Sequence, residues 1–547
     1  MKASSADNLP GRQSAWSPLR QHLFRSLWIA AVASNVGTWV QDVGEAWLMT
    51  SLTKSPILIS LLQTADSFPI FLLALPAGAF ADIMDRRRLL IFAQVWMLIT
   101  ASILGVMTIA GAATPSSLLL LAFLLGLGTA LNAPAWMAII PELVGPSDLP
   151  AAIALNGIAV NIARAVGPAL GGLIVAFSGP GASFLLNAAS FLGIAAVLYR
   201  WHRAPRGSAL PAERAVGAMR AGARYVRHSP AFRIVLIRSA AFIVFGSAIW
   251  ALFPVLARFE LKLGPTGYGL LFGALGAGAV TAAAALPAVK RKASLDSLVV
   301  VATVLFAFML LMLAFLRNAW LIAATMFVIG AGWLTLLVSF STSAQASVPS
   351  WVRGRALAFY MLVFFGGMAL GSALWGTVAG RLGLTVAFLS SAAGLVAGLV
   401  LSAHHRLKEA EGLNLEQSLH WPAPRVVREP KAEEGPVLVS VEYHIHPLQA
   451  EDFAGAMEAI KKIRRRDGAI RWGLYRDTAD QSRYIETFVV ESWVEHMRQH
   501  ERVTISDRAV QDRVNAFHSG PESPTVTHFI YAGGKGPRRM RSRQRDG

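Results

Sequence analysis

PILISLLQTADSFPIFLLALPAGAFADIMDRRR, residues 56–88, decides what kind of molecule this is. From Pro56 to Ala81 the only charged residue is Asp66, and at about 1.5 Å per helical residue the run exceeds the roughly 30 Å of a bilayer's hydrocarbon. It then stops at Asp82 and Asp85, followed by Arg86, Arg87 and Arg88. A soluble helix has no use for so long an apolar stretch closed by a block of arginines, whereas a membrane span does.

Similar runs lie on both sides of this one. The sequence predicts spans at 23–49, 56–81, 89–111, 116–138, 152–177, 182–200, 233–257, 268–289, 295–316, 320–345, 355–379 and 384–403. That makes an all-α polytopic membrane protein with twelve transmembrane helices. Composition agrees, with 54% hydrophobic and only 15% charged residues against about 25% charged in soluble domains. The 47 glycines suit helices that pack by close backbone approach. With no cysteine, disulfides, zinc–thiolate sites and thiol catalysis are excluded.

The net charge of +18 raises nucleic acid as a partner. Its distribution points to a lipid bilayer instead. Arg86–Arg88, then Arg200, Arg203, Arg206, Arg214, Arg220, Arg224 and Arg227, then Lys290–Lys292, Arg353 and Arg355 fall in alternate connectors. The other connectors hold only Lys54, Arg258, Lys262, Arg317 and Arg381. By the positive-inside rule both termini are cytoplasmic, in a multi-pass protein of the cell (inner or plasma) membrane. Residues 1–22 form a cytoplasmic segment too polar for a secretory signal. The basic loop 201–232 separates two six-helix bundles, 23–200 and 233–403. The loop is expected either to lie on the inner leaflet as an amphipathic stretch or to be a solvated connector. A weak repeat relates the halves: Gly167-Pro-Ala-Leu-Gly171 matches Gly367-Met-Ala-Leu-Gly371.

Polar residues inside the spans are the candidate working groups, because charge at mid-membrane is costly and faces a partner or an aqueous path. Asp42 and Glu45 share one face of the first span, Asp66 lies about ten residues into the second, and Arg164 lies about 18 Å into the fifth. Two readings are open for the acids: proton-carrying carboxylates, or static groups, either partners of Arg164 or, for Glu45, an exposed end of the first span. Asn132 and Asn161, with Gln63 and Trp136, are candidates to line a cavity.

At Gly78-x-x-x-Asp82-x-x-x-Arg86-Arg87 the chain resembles the major facilitator superfamily. The resemblance implies a gate in which Asp82 faces the N-terminus of the eleventh span, near Arg353 and Arg355, and Arg86 pairs with the Asp. Asp85 stands where the superfamily usually has Gly, and the second-half counterpart at 287–292 has lost the acid. In the fifth span Gly167-Pro168 and Gly171-Gly172 resemble an exporter-associated packing motif. Asn35-Val-Gly-Thr-Trp-Val-Gln41, Ala46-Trp-Leu-Met-Thr50, Asn132-Ala-Pro-Ala135 and Asn161-Ile-Ala-Arg164 resemble one subfamily, the enterobactin exporter-like transmembrane secretion effectors. In that group positions 42, 45 and 66 are usually uncharged, so these acids are expected to be particular to this chain.

Beyond the spans, 404–435 reads as a polar linker, 436–532 as a soluble α+β module of order βαββαβ, and 533–547 as a basic tail. Trp472-Gly-Leu-Tyr475, Glu486-Thr-Phe488 and Ser492-Trp493 resemble the dimeric ferredoxin-like domain of antibiotic biosynthesis monooxygenases, which implies a homodimer through this module. His496 and His500 are four apart on a helix, but no third ligand is evident, so neither metal nor cofactor is expected.

The function expected is a secondary active transporter and not an enzyme: a proton-coupled exporter of a small organic molecule (siderophore, drug or secondary metabolite) working by alternating access. The alternatives are an importer or uncoupled facilitator and, in another class, a membrane-anchored oxidase-like protein using the C-terminal domain.

Overall fold

The computed structural model describes residues 16–83, 85–145, 147–201, 215–403, 414–424 and 426–532. Side chains are not described for 77–83 and 215–218, so Gly78 and Asp82 of the expected gate lie outside the described side chains, as does the basic tail outside the described residues. The chain divides into two compact units: residues 1–212, 235–342 and 358–408, and residues 213–234, 343–357 and 409–547.

The first unit is helical: α1 His22–Leu52, α2 Pro56–Ile83, α3 Arg86–Ile109, α4 Pro115–Leu143, α5 Leu149–Arg200, α7 Pro230–Gly246 (its first turn in the second unit), α8 Ala248–Val255, α9 Pro265–Lys290, α10 Leu295–Phe315, α11 Ala319–Ala346 (its last turn in the second unit), α12 Arg353–Leu382 (its first turn in the second unit) and α13 Leu384–Leu401. Among the described residues ten helices are long and apolar enough to cross a membrane. α1 is long enough but is not among the ten, because its middle turns carry Ser34, Asn35, Gln41, Asp42 and Glu45. α5 counts once although its 52 residues would run about 78 Å as one rod. It is not one rod: Gly179 has φ 77° and ψ 168°, a conformation that favours glycine. Pro180 follows, ready to start a new helix. The break falls between the runs 152–177 and 182–200 that the sequence marks.

The apolar core around α1, α3 and α4 has two parts. One holds Met49, Leu62, Met97, Leu104, Leu125 and Phe184. The other, nearer the arginine block, holds Leu27, Leu90, Ile139, Leu143, Leu155 and Leu198. Between them α1, α3 and α4 each turn polar, at Gln41, Gln94 and Asn132. Helices α1–α5 meet α8–α12 toward the end where α1 joins α2. There the Arg258 guanidinium sits 4.0 Å from the Trp47 ring, the Thr64 hydroxyl donates to the Ala369 carbonyl at 2.9 Å, and Gly172 abuts Gly269.

The second unit contains α6 (Ala215–His228), a short 3-10 turn at Ser350–Val352, and the C-terminal module. The module runs β1 Val437–His444, α14 Ala450–Asp467, β2 Arg471–Arg476, β3 Arg483–Val490, α15 Trp493–Arg502, α16 Ile505–Asn515 and β4 Thr525–Ile530. The sheet order is β2-β3-β1-β4, with every pair antiparallel. β3 therefore lies between β1 and β2, as a split βαβ unit requires. The alternation Val437, Val439, Val441, Tyr443 faces the core with Phe453, Met457 and Ile460 of α14. The helical spacing of apolar residues breaks one turn on: Ile463 is half-buried, and Arg464 is buried in its place. Glu486 accounts for this. It accepts from Arg464 at 3.0 and 3.3 Å and from the Trp472 indole at 2.9 Å, so the buried charges are paired.

Two connectors differ from expectation. From residue 414 the expected linker pairs with the module: Gln417 bridges to Thr504, and Trp421 Nε1 donates to Gln511 at 2.9 Å. The 201–232 loop contains α6, whose buried Ala221 and Tyr225 belong to a helix that packs against α14. The Tyr225 hydroxyl donates to the Ser347 carbonyl at 2.7 Å, and burial pushes that hydroxyl up to about 12, so it stays a donor. Arg502 lies 4.7 Å from the Trp351 ring and Arg224 is 3.8 Å from Glu495. The described part of α6 therefore turns one face, with Ala221 and Tyr225, to protein and leaves Arg220, Ala223 and Arg227 exposed on the other.

Candidate substrate cavity

A cavity of about 690 Å³ occupies the polar layer of the first unit. α1 brings Asp42 and Glu45 to it, α2 brings Asp66, α4 brings Asn132 and α5 brings Arg164. Asn161, three residues from Arg164, is not in its lining. Gln63 and Trp136 do line it, and so does Asn156, whose side chain accepts from Trp136 Nε1 at 3.0 Å.

Glu45 is fully enclosed and tied into a chain of amides: Asn187 Nδ2 donates to Gln41 Oε1 at 2.7 Å, and Gln41 Nε2 donates to Glu45 at 2.7 Å. Among the described residues Asp42 and Asp66 have no hydrogen-bond partner, and no carboxylate lies within 4.0 Å of Arg164. The static pairing of these acids with Arg164, one of the two readings the sequence left open, is therefore absent. Gln94 is 1% exposed; its Nε2 donates to Asn132 at 3.0 Å while its Oε1 has no partner among the described residues. Part of the lining is aromatic. Trp250 stands 6.3 Å from Trp39, 5.3 Å from Trp333 and 5.5 Å from Phe272, centroid to centroid. Its buried Nε1 is also without a partner among the described residues.

The packing motif has divided contacts. A Cβ on Gly171 would meet Val40 Cα at 3.0 Å, and Gly167 faces the Trp39 side chain, so both press α5 onto α1. Gly172 faces the other way, toward α9, and the Pro168 carbonyl lies against Gly269. At the arginine block, Arg86 donates to Glu142 at 2.9 Å and to the Ala138 carbonyl at 3.2 Å. Glu142 had no role in the sequence reading. Arg87 donates to the Leu198 and Tyr199 carbonyls at 2.8 and 2.6 Å, tying α3 to the C-terminus of α5. Asp85, the departure from the superfamily pattern, caps α3 by accepting from the Arg88 backbone at 2.9 Å. Arg353 and Arg355 lie in the first turn of α12. In the second half the acid near this end is Asp296, in the first turn of α10, paired with Arg238.

In the C-terminal module, His496 and His500 approach Nε2 to Nε2 at 3.4 Å. Among the described residues no group of three ligating side chains could hold a metal. Burial first, then neighbouring histidines, drives His496 down to about 3 and His500 down to about 4, so both are neutral at physiological pH.

A family model described as transmembrane secretion effector matches residues 13–535. The staphyloferrin A transporter of Staphylococcus aureus is 25% identical, covering 70% of this chain and 96% of that protein. The multidrug efflux pump Tap of Mycolicibacterium fortuitum is also 25% identical, over 70% and 95%. The enterobactin exporter EntS of Escherichia coli O1:K1 / APEC is 26% identical, over 66% and 86%. Among solved structures, the nucleoside transporter NupG superposes with a TM-score of 0.52 at 14% identity, over 70% of this chain and 98% of that one. A bacterial Spinster homologue, inward-facing and occupied, gives 0.54 at 16% identity, over 72% and 97%. These structures share the fold. The chain belongs to the transmembrane secretion effector family of the major facilitator superfamily, and is a secondary transporter of small molecules rather than an enzyme.

Proposed function

We propose that this chain exports a small organic molecule in exchange for protons. The observation that carries the reading is the set Asp42, Glu45 and Asp66, gathered at one cavity without an ion pair to Arg164. A carboxylate locked in a salt bridge cannot cycle a proton, whereas one facing a water-accessible cavity can. Reading α5 as two crossings divided at Gly179, and α1 as a further one, gives twelve crossings in two six-helix halves. The Lys/Arg bias of the connectors then puts both termini in the cytoplasm. In this orientation Trp47–Arg258, Thr64–Ala369 and Gly172–Gly269 close the outer side, and the cavity faces inward, ready to load from the cytoplasm.

The C-terminal module supports a homodimer. The sheet face opposite its core carries Leu438, Ile485, Val489 and Phe529, with Phe529 52% exposed. The Arg483–Glu442 pair sits on the same face at 2.9 Å. An apolar centre with both charge signs beside it is self-complementary about a two-fold axis.

The test is uptake into inverted vesicles under an imposed proton gradient, across siderophores, drugs and dyes. Gradient-dependent accumulation that Asp66→Asn and Asp42→Asn each reduce is expected. Accumulation that ignores the gradient, or that both variants leave intact, defeats proton coupling.

A further inference from the structure

The lining of the cavity selects by charge. Its titratable groups are Asp42 and Glu45 from α1, Asp66 from α2, Arg164 from α5 and Tyr268 from α9. With the three acids ionised the excess is two negative charges. Asp42 and Asp66 are the acids left without a hydrogen-bond partner among the described residues, whereas Glu45 is held by Gln41. The indoles of Trp39, Trp250 and Trp333 line the same space. The faces of such rings carry negative potential and attract cations, most strongly when desolvated. Carboxylates and indoles therefore both favour positive charge, and a polyanion would meet two or three carboxylates with one guanidinium to answer it.

The size of the cavity is a second observation, independent of charge. The volume, about 690 Å³, is that of a pocket for a drug-sized molecule.

We infer that the cavity binds an organic cation with an aromatic or otherwise apolar body, its charge held by Asp42 and Asp66 and its body packed on the Trp39–Trp250–Trp333 wall. The inference rests on the transporter reading and names its substrate class. It also explains why the acids come from α1 and α2 while most of the aromatic wall comes from α8, α9 and α11: such a ligand bridges the two halves.

The test is equilibrium binding to the purified full-length chain in detergent, without any gradient. The probes are radiolabelled tetraphenylphosphonium and tetraphenylborate, which share a shape and differ in sign. Saturable binding of the phosphonium, not displaced by the borate, is expected. Asp66→Asn should weaken it about tenfold or more, the weight of one charged contact, and Asp66→Glu should restore it. Asp42→Asn repeats the test at the second acid. Borate binding as tight as phosphonium binding, or no saturable phosphonium binding, overturns the inference. The wild-type comparison stands even if a variant fails to fold. Gradient-driven transport of an anion with no phosphonium binding would sink this inference and leave the exporter reading intact, whereas phosphonium binding without gradient-driven transport would do the reverse.

Discussion

Gly172 of α5 and Gly269 of α9 meet backbone to backbone. A Cβ on Gly172 would lie 2.9 Å from Gly269 Cα and 2.7 Å from the Pro265 carbonyl oxygen, and a Cβ on Gly269 would lie 2.7 Å from Gly172 Cα. Neither obstacle is a movable side-chain tip, so the helices must part to admit even a methyl group.

Gly172→Val should therefore open this seam while leaving each half folded. The chain has no cysteine, which makes a cross-link assay clean. Cysteines placed at Ile57 and Gly380, where a Cβ on Gly380 would meet Ile57 at 2.9 Å, should link readily in the otherwise native chain. The link should form several-fold less in Gly172→Val. Equal linking in both would show that the glycine contact does not hold the seam.

Removing one partner of the Arg464–Glu486 pair should be severe. Both side chains are buried, at 4% and 0% exposure, and Glu486→Gln leaves the guanidinium without a counter-charge. About 3–5 kcal/mol of stability in the C-terminal module should go. Hydrogen exchange across β1 and β3 of the full-length chain measures it. Replacing both together, with Arg464→Met and Glu486→Leu, should recover much of the loss.

The buried histidines give the module an acid limit. His496 and His500 ionise in the folded state only near 3 and 4, well below the roughly 6.5 of an unfolded histidine. As pH falls through about 6.5 the unfolded chain takes up protons that the folded one refuses, so stability declines from there downward. Protection of α15 against hydrogen exchange should drop between pH 7 and 5. His496→Phe together with His500→Phe should flatten that slope, and an unchanged slope would count against the histidines.

Phe529→Asp should leave the module folded, because the side chain points away from its core. It should also halve the mass of the particle measured by light scattering in detergent. A variant that keeps the native mass rules the sheet face out as the dimer contact.

Much of this was legible in the sequence because hydropathy and strand alternation report what faces lipid or core. The α5 break shows in Gly179-Pro180, and β1 shows in Val437, Val439, Val441 and Tyr443. The acids Asp42, Glu45 and Asp66 stand out as charges inside apolar runs. The aromatic wall does not, since Trp250 and Trp333 count as apolar wherever they point, and only packing reveals their shared space. Gln94 and Asn187 were each a lone polar residue in a greasy helix, a weak signal until Asn132 and Gln41 stand opposite them. Arg464 was unreadable for a different reason: its partner Glu486 lies on another element, and no local pattern announces such a pair. Asn161 shows the converse: it is a helical neighbour of Arg164, three residues away, yet it does not reach the lining.

The contacts of Tyr225 with Ser347 and of Arg502 with Trp351 join stretches that are far apart along the chain. One stretch precedes α7 and the other precedes α12. The C-terminal module touches both stretches, through α14 on α6 and through Arg502 on Trp351. Cutting the chain at residue 406 would bare Tyr225, Ala221 and Trp351 to water, so a shortened protein would carry a new sticky surface along with whatever transport it retains.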